Sequence, residues 1–199
     1  MGKRHMTRAE IIAQCKAIAR ESRMAERSPW SAMGIVCAYV IYKSEGFKAK
    51  RIVDIVHNID AMQEQFERGE LTIDDLNNKL MAKADFGLEA VTYTEADIKT
   101  KKGSYQYWID SRQLGPQNTI NEMSIRYMLF FFNTLVDKYG FGKTRLERVY
   151  GEITKFLIEY QQDKTSIRML KEVLLNETGI VFEMPIDPLT QTTGSMMTN

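Results

Sequence analysis

The sequence is poor in glycine, proline and cysteine, and these shortages narrow its fold class. Its 199 residues include 12 glycines and 4 prolines, which are too few for many short strands joined by tight turns. The two cysteines, Cys15 and Cys37, both fall in stretches with helical periodicity. They indicate buried thiols of a reducing compartment and not a disulfide framework.

The sequence also lacks a long hydrophobic run. Its longest apolar stretch, WSAMGIVCAYVIY, is shorter than the roughly 20 residues that a membrane helix needs. No basic, apolar and small-residue leader opens the chain, so the sequence does not predict secretion. With 44% hydrophobic and 27% charged residues, the composition is that of an ordinary globular protein. We therefore expect a cytoplasmic protein that does not associate with membranes.

Apolar residues recur with helical spacing along most of the chain and predict an all-α, single-domain bundle of about seven helices. The first amphipathic helix spans residues 7–27. Two later helices, within 29–45 and 117–139, are apolar on nearly every face, which predicts that both are buried centrally. We expect at most minor β content, near residues 86–94 and 101–116. Residues 1–184 form the helical domain, and residues 185–199 form an extended C-terminal tail.

Local signals predict where several helices begin and end. Gly46 and Gly69 are suited to the left-handed position that follows a helix. Capping boxes, in which a threonine and an acidic residue exchange hydrogen bonds with the backbone, predict helix starts at Thr72–Asp75 and Thr94–Asp97. Pro116 predicts the start of the long apolar helix, because proline is favoured in a first turn.

The net charge of +1 conceals an uneven distribution. Residues 1–53 carry a net charge of +7, residues 54–97 carry −8, and the remainder carries +2. One interpretation is that the basic and acidic segments face each other in the fold. The other is a basic surface for an anionic partner.

The stretch KYGFGKTRLERV, residues 138–149, contains the Gly-Lys-Thr that ends a nucleotide-binding P-loop. A P-loop needs a further glycine five residues before Gly142 and a strand in front of it. Asp137 stands at that position, and the preceding segment has helical periodicity. We therefore interpret the glycines as a turn between two helices. A weaker alternative is an anion-binding edge formed by Lys143, Arg145 and Arg148.

Two other basic clusters are candidate nucleic-acid contacts. Lys48, Lys50 and Arg51 open a helix after Gly46, in the outline of a helix-turn-helix. That helix becomes acidic after Asp54, however, which would repel a duplex, and any helical bundle contains such pairs.

The second cluster combines Lys101 and Lys102 with Tyr105, Tyr107 and Trp108. Cations and flat rings together are suited to single-stranded nucleic acid or to a nucleotide base. The alternative is a surface loop anchored by buried aromatic side chains.

Catalytic chemistry has little support in the sequence. His57 is the only internal histidine, and no serine or cysteine has the setting of a nucleophile. Metal-ligand spacings are absent. We assign no catalytic residue, no metal and no cofactor.

Four segments resemble proteins encoded by phages and prophages of Firmicutes, a group to which no activity is attached. These segments are SPWSAMGIVCAYVIYKSEGFKAKRI, YWIDSRQLGPQNTI, RYMLFFFNTLVDKYGFGKTRLERV and PIDPLTQTTGSMMTN. The resemblance extends from Ser28 to the tail and implies a bacterial host cell as the setting. It carries over no functional residue.

We therefore expect a non-enzymatic accessory protein that binds a host or phage protein stoichiometrically, in a regulatory or anti-defence role. A nucleic-acid-binding accessory protein with a basic surface is the first alternative, and a nucleotide or small-ligand binder is the second. A homo-oligomer is a further expectation, because two all-apolar helices are difficult to cover within one domain.

Overall fold

The computed structural model describes residues 28–89, 92–102, 104–162 and 165–182. Within them the chain forms six α-helices and no strand, so the all-α prediction is confirmed and the helix number is close to the predicted seven. The helices are α1 (Ser28–Glu45), α2 (Ala49–Glu67), α3 (Ile73–Ala84), α4 (Tyr105–Tyr139), α5 (Lys143–Gln161) and α6 (Ile167–Thr178). The predicted helix at 7–27 and the predicted tail at 185–199 lie outside the described residues.

Two helices form the centre of the bundle, as their lack of a polar face predicts. Helix α1 packs against α2, α4, α5 and α6, while the second half of α4 packs against α1, α2 and α3. Nine consecutive residues of α4, from Tyr127 to Leu135, are buried. Each fully buried phenylalanine among them contributes about 1.5–3 kcal/mol through loss of contact with water.

Helix ends follow the local signals in the first half of the chain. Gly46 follows α1 with a φ of +68°, a left-handed conformation that only glycine adopts without strain. The Thr72–Asp75 capping box is present at the start of α3.

Helix α4 differs from its prediction, because it begins at Tyr105 and not at Pro116. The Ser104 hydroxyl accepts a hydrogen bond of 3.1 Å from the backbone N–H of Tyr107 and so caps the N-terminus of α4. Pro116 lies in the helix interior, where it has no N–H to donate. The Thr119 hydroxyl donates to the Gly115 carbonyl at 3.1 Å, one turn further along the helix.

The segment before α4 also differs from its prediction. The Thr94–Asp97 box is present, but it starts a 3-10 helix at Glu95–Asp97 and not an α-helix. The expected extended segment forms no strand in residues 86–89 and 92–94.

The α1–α2 turn and the α4–α5 turn pack together at one end of the bundle. The Phe47 ring lies 4.8 Å from the Tyr139 ring and 6.0 Å from the Phe141 ring, measured between centroids. The Tyr139 hydroxyl also donates to the Arg51 carbonyl at 3.2 Å. These contacts place the start of α2 beside the start of α5.

Candidate functional site

The packing of these two turns brings two of the predicted cationic groups to the same end of the molecule. Lys48, Lys50 and Arg51 stand at the start of α2, and Lys143 and Arg145 stand at the start of α5. All five side chains belong to exposed residues. The sequence did not indicate that they are neighbours, because almost 100 residues separate the groups.

The cations of α5 are neutralised by carboxylates of the same chain. Lys143 forms an ion pair of 2.6 Å with Asp85. Arg145 pairs with Glu45 at 2.6 Å, and Arg148 pairs with the other oxygen of the same carboxylate. The Arg145 guanidinium also lies 3.6 Å above the centre of the Phe141 ring. A free anion would have to displace these partners.

Glu45 is a nearly buried carboxylate, with only 4% of its side chain exposed. Burial alone would raise its pKa, but the hydrogen bonds and positive charges of Arg145 and Arg148 outweigh burial and hold the pKa below the usual value. Glu45 therefore stays ionised and holds the end of α1 against the first turns of α5.

The cations of α2 have no such partner. Lys48 lies 5.3 Å from the centre of the Tyr42 ring and Arg51 lies 5.1 Å from the Phe47 ring. Neither residue, nor Lys50, forms an ion pair with any described residue. These three side chains are therefore available positive charges at this end of the molecule.

The predicted pairing of the basic and acidic segments is not seen in the described residues. The described ion pairs connect no cation of residues 28–53 with an acid of residues 54–97. Residues 1–27 lie outside the described part of the chain.

The lysine and aromatic cluster lies at the opposite end of α4. Lys101 and Lys102 are exposed in the segment that precedes the helix. The Tyr107 hydroxyl donates to the Glu95 carboxylate at 2.8 Å, and this hydrogen bond raises the pKa of the phenol. The side chains of Tyr105 and Trp108, in the first turn of α4, lie outside the described part of the structure.

The length of α4 separates the two basic clusters. Its 35 residues span about 50 Å at 1.5 Å per residue. The clusters at Lys48–Arg51 and Lys101–Lys102 therefore do not form one continuous surface.

A groove of about 540 Å³ lies between α1, α5 and α6, and the sequence did not predict it. We call it the α5–α6 groove. Tyr39, Phe156 and Met169 supply apolar surface. Its charged lining residues are Lys43, Glu152, Lys155 and Glu159. Apolar walls with charges of both signs are suited to an amphipathic segment of another protein.

Exposed apolar side chains are concentrated in α5, α6 and the segment that follows, and one of them, Met169, lines the groove. Nine large hydrophobic residues are exposed among those described, and six lie between residues 150 and 181. These six are Tyr150, Ile158, Tyr160, Met169, Leu175 and Val181. The Glu177 carboxylate accepts a hydrogen bond from the Tyr42 hydroxyl and forms an ion pair with Lys43. These contacts connect α6 to α1 beside the groove.

The described residues offer little for catalysis. His57 is exposed on α2, and no group of three histidine, cysteine or acidic side chains in this part of the chain is placed to hold a metal ion. Cys37 is buried, and burial raises the pKa of its thiol far above the usual value, so the reactive thiolate is disfavoured.

Gly142-Lys143-Thr144 has a helix in front of it and not a strand, as predicted, and so lacks the setting of a P-loop. None of the described helices has both the length and the apolar character needed to cross a bilayer. Comparison of the chain with protein-family models, curated proteins and solved structures finds no match.

Proposed function

We propose that the chain is a non-enzymatic accessory protein that binds another protein stoichiometrically through the α5–α6 groove. The observation that supports this most directly is the lining of the groove, where apolar surface from Tyr39, Phe156 and the half-exposed Met169 is combined with charges of both signs. Such a lining is suited to an amphipathic segment of a partner. The expected occupant is an amphipathic helix or strand with an apolar side chain directed at Met169.

The resemblance of four segments to phage and prophage proteins supplies the setting of this proposal. It supports a host or phage protein as the partner, within the bacterial cytoplasm, and a regulatory or anti-defence role. A protein of this kind acts by occupying its partner and needs no active site. The inference from the resemblance is an analogy between proteins, so it supports a class of partner and names no individual partner.

A nucleic-acid-binding function is the second candidate, supported by Lys48, Lys50 and Arg51. Their charges are exposed and unpaired within the described residues, whereas Lys143 and Arg145 are paired with Asp85 and Glu45. Three cations support a weak, salt-sensitive contact with phosphates. We rank this function second because the cluster is small and lies far from Lys101 and Lys102.

Affinity purification of the tagged full-length chain from its bacterial host tests the proposed function. We expect one protein to co-purify in a fixed ratio after nuclease treatment and a high-salt wash. Met169→Glu places a charge in the groove and should reduce capture of this protein by about tenfold or more. Met81→Glu is the control, because Met81 has a similar exposure, 49% against 47%, but lies on α3.

A parallel purification at low salt and without nuclease distinguishes the second candidate. Nucleic acid that co-purifies and is lost in a Lys48→Glu, Lys50→Glu, Arg51→Glu triple variant, with no protein partner present, would contradict binding through the groove and favour the basic end. Equal capture of the protein partner by the wild type and Met169→Glu would show that the partner binds a surface other than the groove.

A further inference from the structure

The outer face of α5 carries a second apolar surface, which we call the α5 outer face. Tyr150, Thr154 and Ile158 follow one another at four-residue spacing and therefore lie in one row. Tyr150 is 37% exposed and Ile158 is 49% exposed. These residues, together with Gly151 and Lys155, line a surface depression of about 520 Å³.

Gly151 has no role in the described fold that would require a glycine. Glycine is unfavourable in the interior of a helix. A Cβ atom built at Gly151 meets no atom within 4 Å, and the residue does not have a positive φ. The missing side chain leaves a notch on the α5 outer face beside Tyr150 and Thr154. A close approach from outside the fold is a physical reason for a glycine at such a position.

We propose that the α5 outer face is the interface of a homodimer in which two copies of α5 pack antiparallel. A two-fold axis between Thr154 and Lys155 places Ile158 of each copy opposite the Gly151 notch of the other. The same symmetry places Glu159 opposite Tyr150, whose hydroxyl can donate to that carboxylate. The surface is thus self-complementary, as a two-fold interface requires.

The charges of the α5 outer face select the antiparallel arrangement. Parallel packing would place Lys155 against Lys155 and Glu159 against Glu159, and like charges directly opposed are unfavourable. In the antiparallel arrangement the two Glu159 carboxylates lie about 14 Å apart along the helix axis, on opposite sides of the two-fold axis. The two Lys155 side chains lie beside the axis in either arrangement and do not discriminate between them. The net charge of the chain is only +1, so overall repulsion between two copies is weak.

This interface is distinct from the α5–α6 groove, although Lys155 and Glu159 line both depressions. Met169 and Tyr39 belong to the groove alone, and Tyr150, Gly151 and Ile158 belong to the α5 outer face alone. The dimer therefore does not depend on the proposed function. A variant of one surface leaves the characteristic residues of the other intact.

Sedimentation velocity of the full-length chain between about 1 and about 200 µM tests the dimer. We expect a concentration-dependent species of twice the 23.0 kDa chain mass. Ile158→Glu should weaken dimerisation at least about tenfold by burying a charge without a partner. Gly151→Gln fills the notch and should weaken dimerisation to a similar degree, while its better helix propensity keeps the monomer folded.

Met81→Glu is the matched control, because Met81 and Ile158 are equally exposed, at 49%. It should leave the dimerisation constant unchanged. A wild-type chain that stays monomeric over the whole range would overturn the proposal. A dimer that persists equally in Ile158→Glu and Gly151→Gln would place the interface elsewhere and would also overturn it.

Discussion

At the scale of single residues, Glu45 explains why two arginines of the basic motif at the start of α5 are not free to bind an external anion. Arg145 and Arg148 follow Gly-Lys-Thr and suggest a site for an external anion. The structure instead pairs both with the buried carboxylate of Glu45. Sequence reasoning missed this partner because it lies 100 residues from Arg145. Burial of an acid beside the turn at Gly46 is a property of the folded chain and not of any local pattern.

We predict that Glu45→Gln lowers the free energy of unfolding by about 1–2 kcal/mol at pH 7, because two charge-assisted hydrogen-bonded contacts are weakened. The pKa of Glu45 is lowered in the folded state, so its contribution is fully present above the ordinary value of 4.5 and is lost as the pH falls through the folded pKa. The difference between wild type and variant should therefore shrink below about pH 4.5. Urea denaturation at several pH values measures it.

Glu70→Gln is the control for this experiment. Glu70 also pairs with an arginine, Arg68 at 2.8 Å, but more than half of its side chain is exposed. Exposed ion pairs contribute little to stability, so this variant should unfold almost like the wild type. A difference between wild type and Glu45→Gln that is the same at pH 3 and pH 7 would show that charge is not the cause.

At the scale of secondary-structure elements, the sequence predicts a helix end correctly where the residues that determine it lie within one turn of that end. The ends of α1 and α3 were predictable because Gly46 and the Thr72–Asp75 box act within one turn. The start of α4 was not predictable, because proline is common in the first turn of a helix and Pro116 therefore indicates a start where the helix in fact continues. The Ser104 cap and the packing of the second half of α4 outweigh the cost of one missing backbone hydrogen bond.

Two glycines, one inside α4 and one directly after it, give different predictions for substitution by alanine. Gly140 ends the helix with a φ of +64°, so Gly140→Ala should lower the free energy of unfolding by about 1 kcal/mol through backbone strain. Gly115 lies within the helix, and an added Cβ meets no atom within 4 Å other than those of the two adjoining residues. Gly115→Ala should change the free energy of unfolding by less than about 0.5 kcal/mol, because crowding of the new Cβ against Pro116 offsets the better helix propensity of alanine.

Chemical denaturation of both variants, with circular dichroism as the probe, checks this pair. Equal effects of the two substitutions would contradict the assignment of Gly140 as the left-handed residue that ends α4.

At the scale of the whole molecule, the architecture was predictable and the candidate site was not. The two apolar helices identify the centre of the bundle from composition alone. The groove has walls from residues 39–44, 152–159 and 165–170, and no pattern within any one of these segments indicates that they meet. Tertiary packing alone brings Tyr39 beside Met169.

The packing also removes the original reason for expecting an oligomer. Both apolar helices are covered within one chain, since α1 contacts four other helices and Tyr127–Leu135 is fully buried. The expectation of an oligomer now depends on the α5 outer face, where Ile158 and the notch at Gly151 face solvent. In the proposed dimer the assembly surface is therefore a half-polar helix and not the most apolar one.

Native mass spectrometry of the full-length chain, purified from the bacterial host that the proposed function implies and measured with and without nuclease treatment, tests the central claim most directly. Our account predicts a complex that contains one further protein in a fixed ratio to this chain, and that is lost when Met169→Glu is purified in the same way. A chain whose only companion is nucleic acid, removed by nuclease, would contradict the claim that this protein acts by binding another protein.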